Sequence, residues 1–197
     1  MSSSDLCPRQ QMHGFTLVEL MVTIVILAIL TMAAIPSFSR LFTSNRLATQ
    51  TNEFKAALQS ARSEAQRRGA VRGTSLRATS GTENYAPGWQ VFTDDGLNGT
   101  LDSGDTLLRQ QDAPPAGTTT TIRRVLRAGA AGAFTYSDAT APADRMVVTF
   151  NTQGQNMGSA PAFFRICDSA MPTVAGRIIQ VSIAGIVTLD SSTTVCP

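Results

Sequence analysis

The chain has 197 residues, 43% of them hydrophobic, with a net charge of +2 and a pI near 8.6. That balance is too even to argue nucleic-acid binding from composition. Its single His and three Cys exclude a zinc site built on the usual four ligands.

Residues 1–14 are polar and carry Arg9, a small positive bias ahead of a long apolar run. From Phe15 to Ile35 the only ionisable residue is Glu19. As a helix that run would be about 31 Å long, enough for the hydrocarbon core of a bilayer. Its Ile, Val and Leu would also suit a buried strand, but a lone segment in lipid must satisfy its own backbone and is therefore helical. The run is too long for a signal-peptide core, and no small-residue cleavage site comes after it. A carboxylate inside such a segment is expensive and calls for a partner.

Past Pro36 the helix continues. Leu47, Thr51, Phe54, Leu58, Ala61 and Ala65 recur at three- and four-residue intervals and define a buried face. Arg46, Glu53, Lys55, Arg62, Glu64, Arg67 and Arg68 fall off that face and read as a solvated surface. Arg67 and Arg68 suit a helix C-terminus, and Gly69 suits the residue after it. From there the pattern changes to short β-type runs at 70–78, 88–93, 106–110, 119–127, 133–136, 145–151, 162–167, 177–183 and 186–189. Ala184-Gly185 separates the last two as a short hairpin turn, and Ala-, Gly-, Pro-, Ser- and Thr-rich stretches separate several of the others. The fold class is α+β: a long N-terminal helix packed on an antiparallel β-sheet head. Its divisions are 1–14 leader, 15–35 transmembrane helix, 36–69 amphipathic helix and 70–197 β-rich head.

Gly14-Phe15-Thr16-Leu17-Val18-Glu19 resembles the signal of type IV prepilins and type II secretion pseudopilins. The Ala61-Arg62-Ser63-Glu64-Ala65 stretch, Gly88-Trp89-Gln90-Val91-Phe92-Thr93-Asp94 and Leu107-Leu108-Arg109 are similar to the GspH/FimT branch of that group. The resemblance implies cleavage between Gly14 and Phe15 by a prepilin peptidase and N-methylation of Phe15. It implies that Glu19 pairs with the Phe15 amine of a neighbouring subunit. It also implies an inner-membrane anchor with the head in the periplasm, and later assembly into a pilus or pseudopilus. The partners would be other pilins or pseudopilins, the peptidase, an assembly platform and inner-membrane lipid. Outside the cytoplasm disulfides persist, and with Cys7 lost in the leader, Cys167 and Cys196 are expected to pair.

Two further constellations invite chemistry. Asp94, Asn98, Asp102 and Asp105 lie in a loop that fits part of a twelve-residue calcium pattern, with Gly99 at the turn position. Gly96 stands where an oxygen ligand is expected, and polar Asx turns account for the same composition. DNA-uptake members of the family carry a Gly-Arg-x-Arg motif, of which Gly176-Arg177-Ile178-Ile179 keeps one Arg. A DNA-binding alternative would need Arg177 to converge with Arg123, Arg124 and Arg165, because affinity grows with the number of phosphates neutralised. No catalytic motif is present, since the expected mature chain has no His and Ser63 has no base beside it. The expected role is that of a structural subunit without a cofactor, apart from the calcium that the acidic loop invites.

Overall fold

The computed structural model describes residues 15–69, 72–115, 117–128, 135–138, 147–194 and 196, with side chains at 33, 34, 36, 135–138 and 191–194 excepted. Gly14 and the leader lie outside the described residues, as do parts of the strands expected at 70–78, 133–136 and 145–151. A 52-residue helix, α1, spans Leu17–Arg68. The chain divides into two compact units, Met1–Ser39 and Arg40–Pro197.

In the first unit the helix presents apolar side chains all round. Phe15, Leu17, Val18, Leu20, Met21 and Ile24 are each more than half exposed. Such a surface belongs in lipid or against other helices, since water is the one environment it does not suit. No single described helix is long and apolar enough to cross a membrane, but Leu17–Met32 and Ser37–Arg68 together meet that test.

In the second unit the described residues form nine strands: β1 (Gly73–Ala78), β2 (Trp89–Thr93), β3 (Leu107–Gln111), β4 (Thr120–Ala128), β5 (Thr135–Asp138), β6 (Val147–Asn151), β7 (Ala162–Asp168), β8 (Gly176–Val181) and β9 (Val187–Thr194). Two antiparallel sheets result, one ordered β3-β2-β1-β6 and the other β5-β4-β7-β8-β9. Both bury one face against the helix. Leu47, Phe54, Ala57, Leu58, Ala61 and Ala65 share one core with Leu76, Trp89 and Phe150 of the first sheet and Ile122, Phe164 and Ile179 of the second. The three helix alanines let the backbones approach closely, and Phe54 fills the centre. Its ring lies edge-on to Tyr85, Phe164 and Trp89, with centroids 5.3, 5.0 and 6.4 Å away, within the range where aromatic pairs attract.

The β8–β9 turn is wider than a two-residue hairpin. Ser182 donates its amide to the Ile186 carbonyl, so Ile183 leaves the strand and sits exposed in the turn with Ile186. Strand β9 is correspondingly longer, reaching Thr194 rather than ending near Leu189.

Candidate functional site

Glu19 lies in the first turn of α1. Thr16 caps that turn: its hydroxyl accepts a hydrogen bond from the Glu19 amide at 3.2 Å, and its carbonyl accepts one from the Leu20 amide. Thr16-x-x-Glu19 is the spacing of a capping box, a start signal that the sequence carried and that places the carboxylate at the positive end of the helix dipole. A single carboxylate is thus displayed at the head of an exposed apolar helix. Chemically this arrangement accepts a cation, and its surroundings accept other apolar helices.

The second half of α1 is tied to the head by its own charged residues. Asp168, fully buried at the end of β7, pairs with Arg46. Its other oxygen accepts bonds from the Thr119 hydroxyl at 2.7 Å and from the amides of Ala170 and Met171 at 2.9 and 3.2 Å. Burial alone would raise its pKa. The hydrogen bonds from Thr119, Arg46 and Ala170, with the Arg46 charge, outweigh burial and hold it below the usual carboxylate value. Thr43 adds a contact to the Met171 sulfur at 3.1 Å. Further along the helix, Arg62 donates to the Gly154 carbonyl at 3.0 Å and to the Ala184 carbonyl at 3.4 Å. Arg46 and Arg62 therefore serve the head and not a solvated face, a correction to the reading from spacing alone. Glu64 remains on the surface, where Arg67 and Arg68 hydrogen-bond it and lower its pKa.

A family model described as type II transport protein GspH matches residues 50–185, which is more than half of the chain. The chain belongs to the GspH family. A second model, the prokaryotic N-terminal methylation motif, matches residues 9–35. No curated protein sequence matches the chain. Among solved structures, two crystal forms of the type IV minor pilin FimU from Pseudomonas aeruginosa are similar. One is 24% identical with a TM-score of 0.54, covering 76% of this chain and 93% of that one. The other is 23% identical with a TM-score of 0.51, covering 75% and 96%. The minor pseudopilin EpsH from the type 2 secretion system of Vibrio cholerae is 11% identical with a TM-score of 0.45, covering 73% and 94%. Family and fold are those of pilin-type structural subunits.

Within this GspH-family head, Cys167 and Cys196 form a disulfide with their Cα atoms 5.7 Å apart. It ties the C-terminus to the strand that ends in Asp168. The four arginines considered for DNA do not form one surface. Arg123 and Arg165 face each other across β4 and β7, and Arg165 pairs with Ile178, which packs with Val125 and Phe163 on the side away from the helix. Arg124 pairs with Phe164 and Arg177 with Ile166, and both partners belong to the helix-facing core. Cross-strand partners share a face, so the sheet separates the arginines two and two. Arg165 is only 6% exposed, and Arg123, Arg124 and Arg165 all have interactions within the chain.

The acidic loop folds back over the outer face of the first sheet. Asp94 is fully buried, one oxygen accepting from the Asn98 amide and the other from the Ser75 hydroxyl and the Gly99 amide. Asp105 accepts from the amides of Asp95 and Asp102, and Asp102 accepts from the Asn98 side chain. The loop's own donors thus engage these carboxylates, and among the described residues no group of three or more His, Cys, Asp or Glu is placed to hold a metal ion. The expected calcium ligands act as Asx-turn organisers in this structure.

Three features of the site had little or no sequence signal. Asp168 carries only an Asx-turn signature, which does not foretell a buried ion pair. Tyr85 lies outside any periodic run. Thr119 precedes a strand that shows no reason to single it out.

Proposed function

We propose that this GspH-family chain is a minor pilin or pseudopilin, cleaved after Gly14 by a prepilin peptidase, methylated at Phe15 and built into a type IV pilus or type II secretion pseudopilus as a tip or initiating subunit. Before assembly its N-terminal helix holds it in the inner membrane, with the head in the periplasm. The observation that carries the reading is the methylation motif over residues 9–35 leading into an exposed apolar helix with Glu19 as its one carboxylate. Packing supplies the work. Apolar helices bundle, and the cost of burying Glu19 unpaired selects the register in which it meets a neighbour's N-terminal amine.

The test is Glu19→Ala in the native host. The expected outcome is normal membrane insertion and cleavage with loss of incorporation into filaments. Normal incorporation of the variant would sink the mechanism. Crosslinked co-purification assigns the machine: recovery with other minor pilins places it in a pilus, and recovery with secretion pseudopilins places it in a secretion system. No calcium or other cofactor is required for this role, and DNA capture at Arg177 has no supporting convergence of cations.

A further inference from the structure

The face of α1 turned away from the head is built to be covered. Asn45, Thr49, Asn52, Ala56, Gln59 and Ser63 are all exposed and succeed one another at alternating intervals of four and three residues. That is the a/d spacing of a heptad seam, and it spans about 27 Å of helix. Exposed Phe42 begins it with the same spacing. The buried residues Leu47, Phe54 and Ala61 run down the opposite side and seat the helix on the head. A solvent-facing helix stripe ordinarily carries charges. This one carries none over its length, because Arg46 and Arg62, which flank it, are drawn off to Asp168 and to the Gly154 and Ala184 carbonyls. Glu53 and Lys55 stand on either side of Asn52, where the e and g charges of a coiled coil stand.

We propose that this neutral stripe is a second helix-packing seam, which receives an α-helix of a neighbouring pilin-type subunit in the filament. The inference rests on the filament assignment proposed for this chain. Three properties identify a helix as the occupant. The spacing matches helix-on-helix packing and not strand addition. A seam without charges can be covered with no charge stripped of its water. Side-chain amides and hydroxyls reward one register and penalise slips, as a buried Asn does in a coiled coil. The seam opens with an apolar residue, Phe42, in the same helix whose N-terminal part carries the methylation motif.

The test places benzoylphenylalanine singly at Asn52, at Gln59 and, as a control on the head, at exposed Gln110 of β3 in the full chain expressed in its host. Sheared filaments are irradiated and adducts mapped by mass spectrometry. The expected result is adducts from positions 52 and 59 to the N-terminal helix of another subunit, with none to that helix from position 110. Incorporation with adducts only to β-heads, or with none, overturns the seam while leaving the subunit assignment standing. Absence of the unsubstituted chain from filaments overturns both. As a second measurement, Asn52→Asp and Gln59→Glu keep shape and add a charge. They should lower incorporation at least about tenfold at unchanged membrane levels, and unchanged incorporation would also overturn the proposal.

Discussion

Asp168→Asn isolates the junction between helix and head. The wild-type carboxylate receives Arg46 on one oxygen and three donors on the other, while fully buried. The amide can keep the three donors but turns an NH2 group toward the Arg46 guanidinium, so a charge-assisted bond becomes a donor facing a donor. Such bonds contribute about 1.5–3 kcal/mol. Arg46 keeps some access to water, which softens the loss, so we expect about 2 kcal/mol, or a fall in Tm of roughly 4–8 °C for a domain of this size. The pH dependence carries the same signature. The folded pKa is depressed, so the stabilisation is fully present above the unfolded value of about 3.9 and is lost as pH falls through the folded value. The assay is urea unfolding of residues 40–197, monitored by the fluorescence of Trp89, the only tryptophan. Wild type should lose stability below about pH 4 more steeply than Asp168→Asn. Equal stability at pH 7, or parallel acid profiles, would refute the view that the ionised Asp168 holds helix and head together.

Gly185 has φ +75°, and a Cβ there would lie 1.8 Å from the Gly154 carbonyl oxygen. Gly185→Ala should therefore cost more than about 2 kcal/mol and displace the β8–β9 turn, seen as loss of amide protection at residues 182–186 in hydrogen exchange. Replacing Cys167 and Cys196 together by Ser should cost about 3–4 kcal/mol from chain entropy for this 29-residue separation, read as a shift in the urea midpoint. Arg177→Ala should leave any low-salt gel shift of the head with DNA unchanged, because Arg177 lies on the opposite face from Arg123 and Arg165. A salt-sensitive shift lost in that variant would restore the DNA-uptake reading.

Much of the fold was legible in the sequence where the signal is local. The buried stripe of α1 follows from 3.6-residue periodicity, and every residue from Leu47 to Ala65 assigned to it is buried. The strands announce themselves by β-branched and aromatic runs between turn residues. The methylation motif and Glu19 are contiguous, and the cysteine pair follows from the compartment that the motif implies.

Tertiary structure decided what depends on register and on side-chain reach. Arg46 and Arg62 are flexible and sit at the margins of the helix stripe, so periodicity cannot say whether they meet solvent or the head. The presence of Asp168 and of the Gly154 carbonyl at the right height decides it. Strand alternation put the candidate arginines on two faces, which a one-residue change of register would have reversed. Asp94 became a buried turn organiser because the loop folds back onto Ser75, a contact between positions 19 residues apart. Sequence alone thus determined the helix, the strands and the assembly signal, because each is encoded by near neighbours. Which charges are spent inside the head, and hence which face of the helix is left neutral, was decided by long-range packing, because only there do distant residues compete for the same partners.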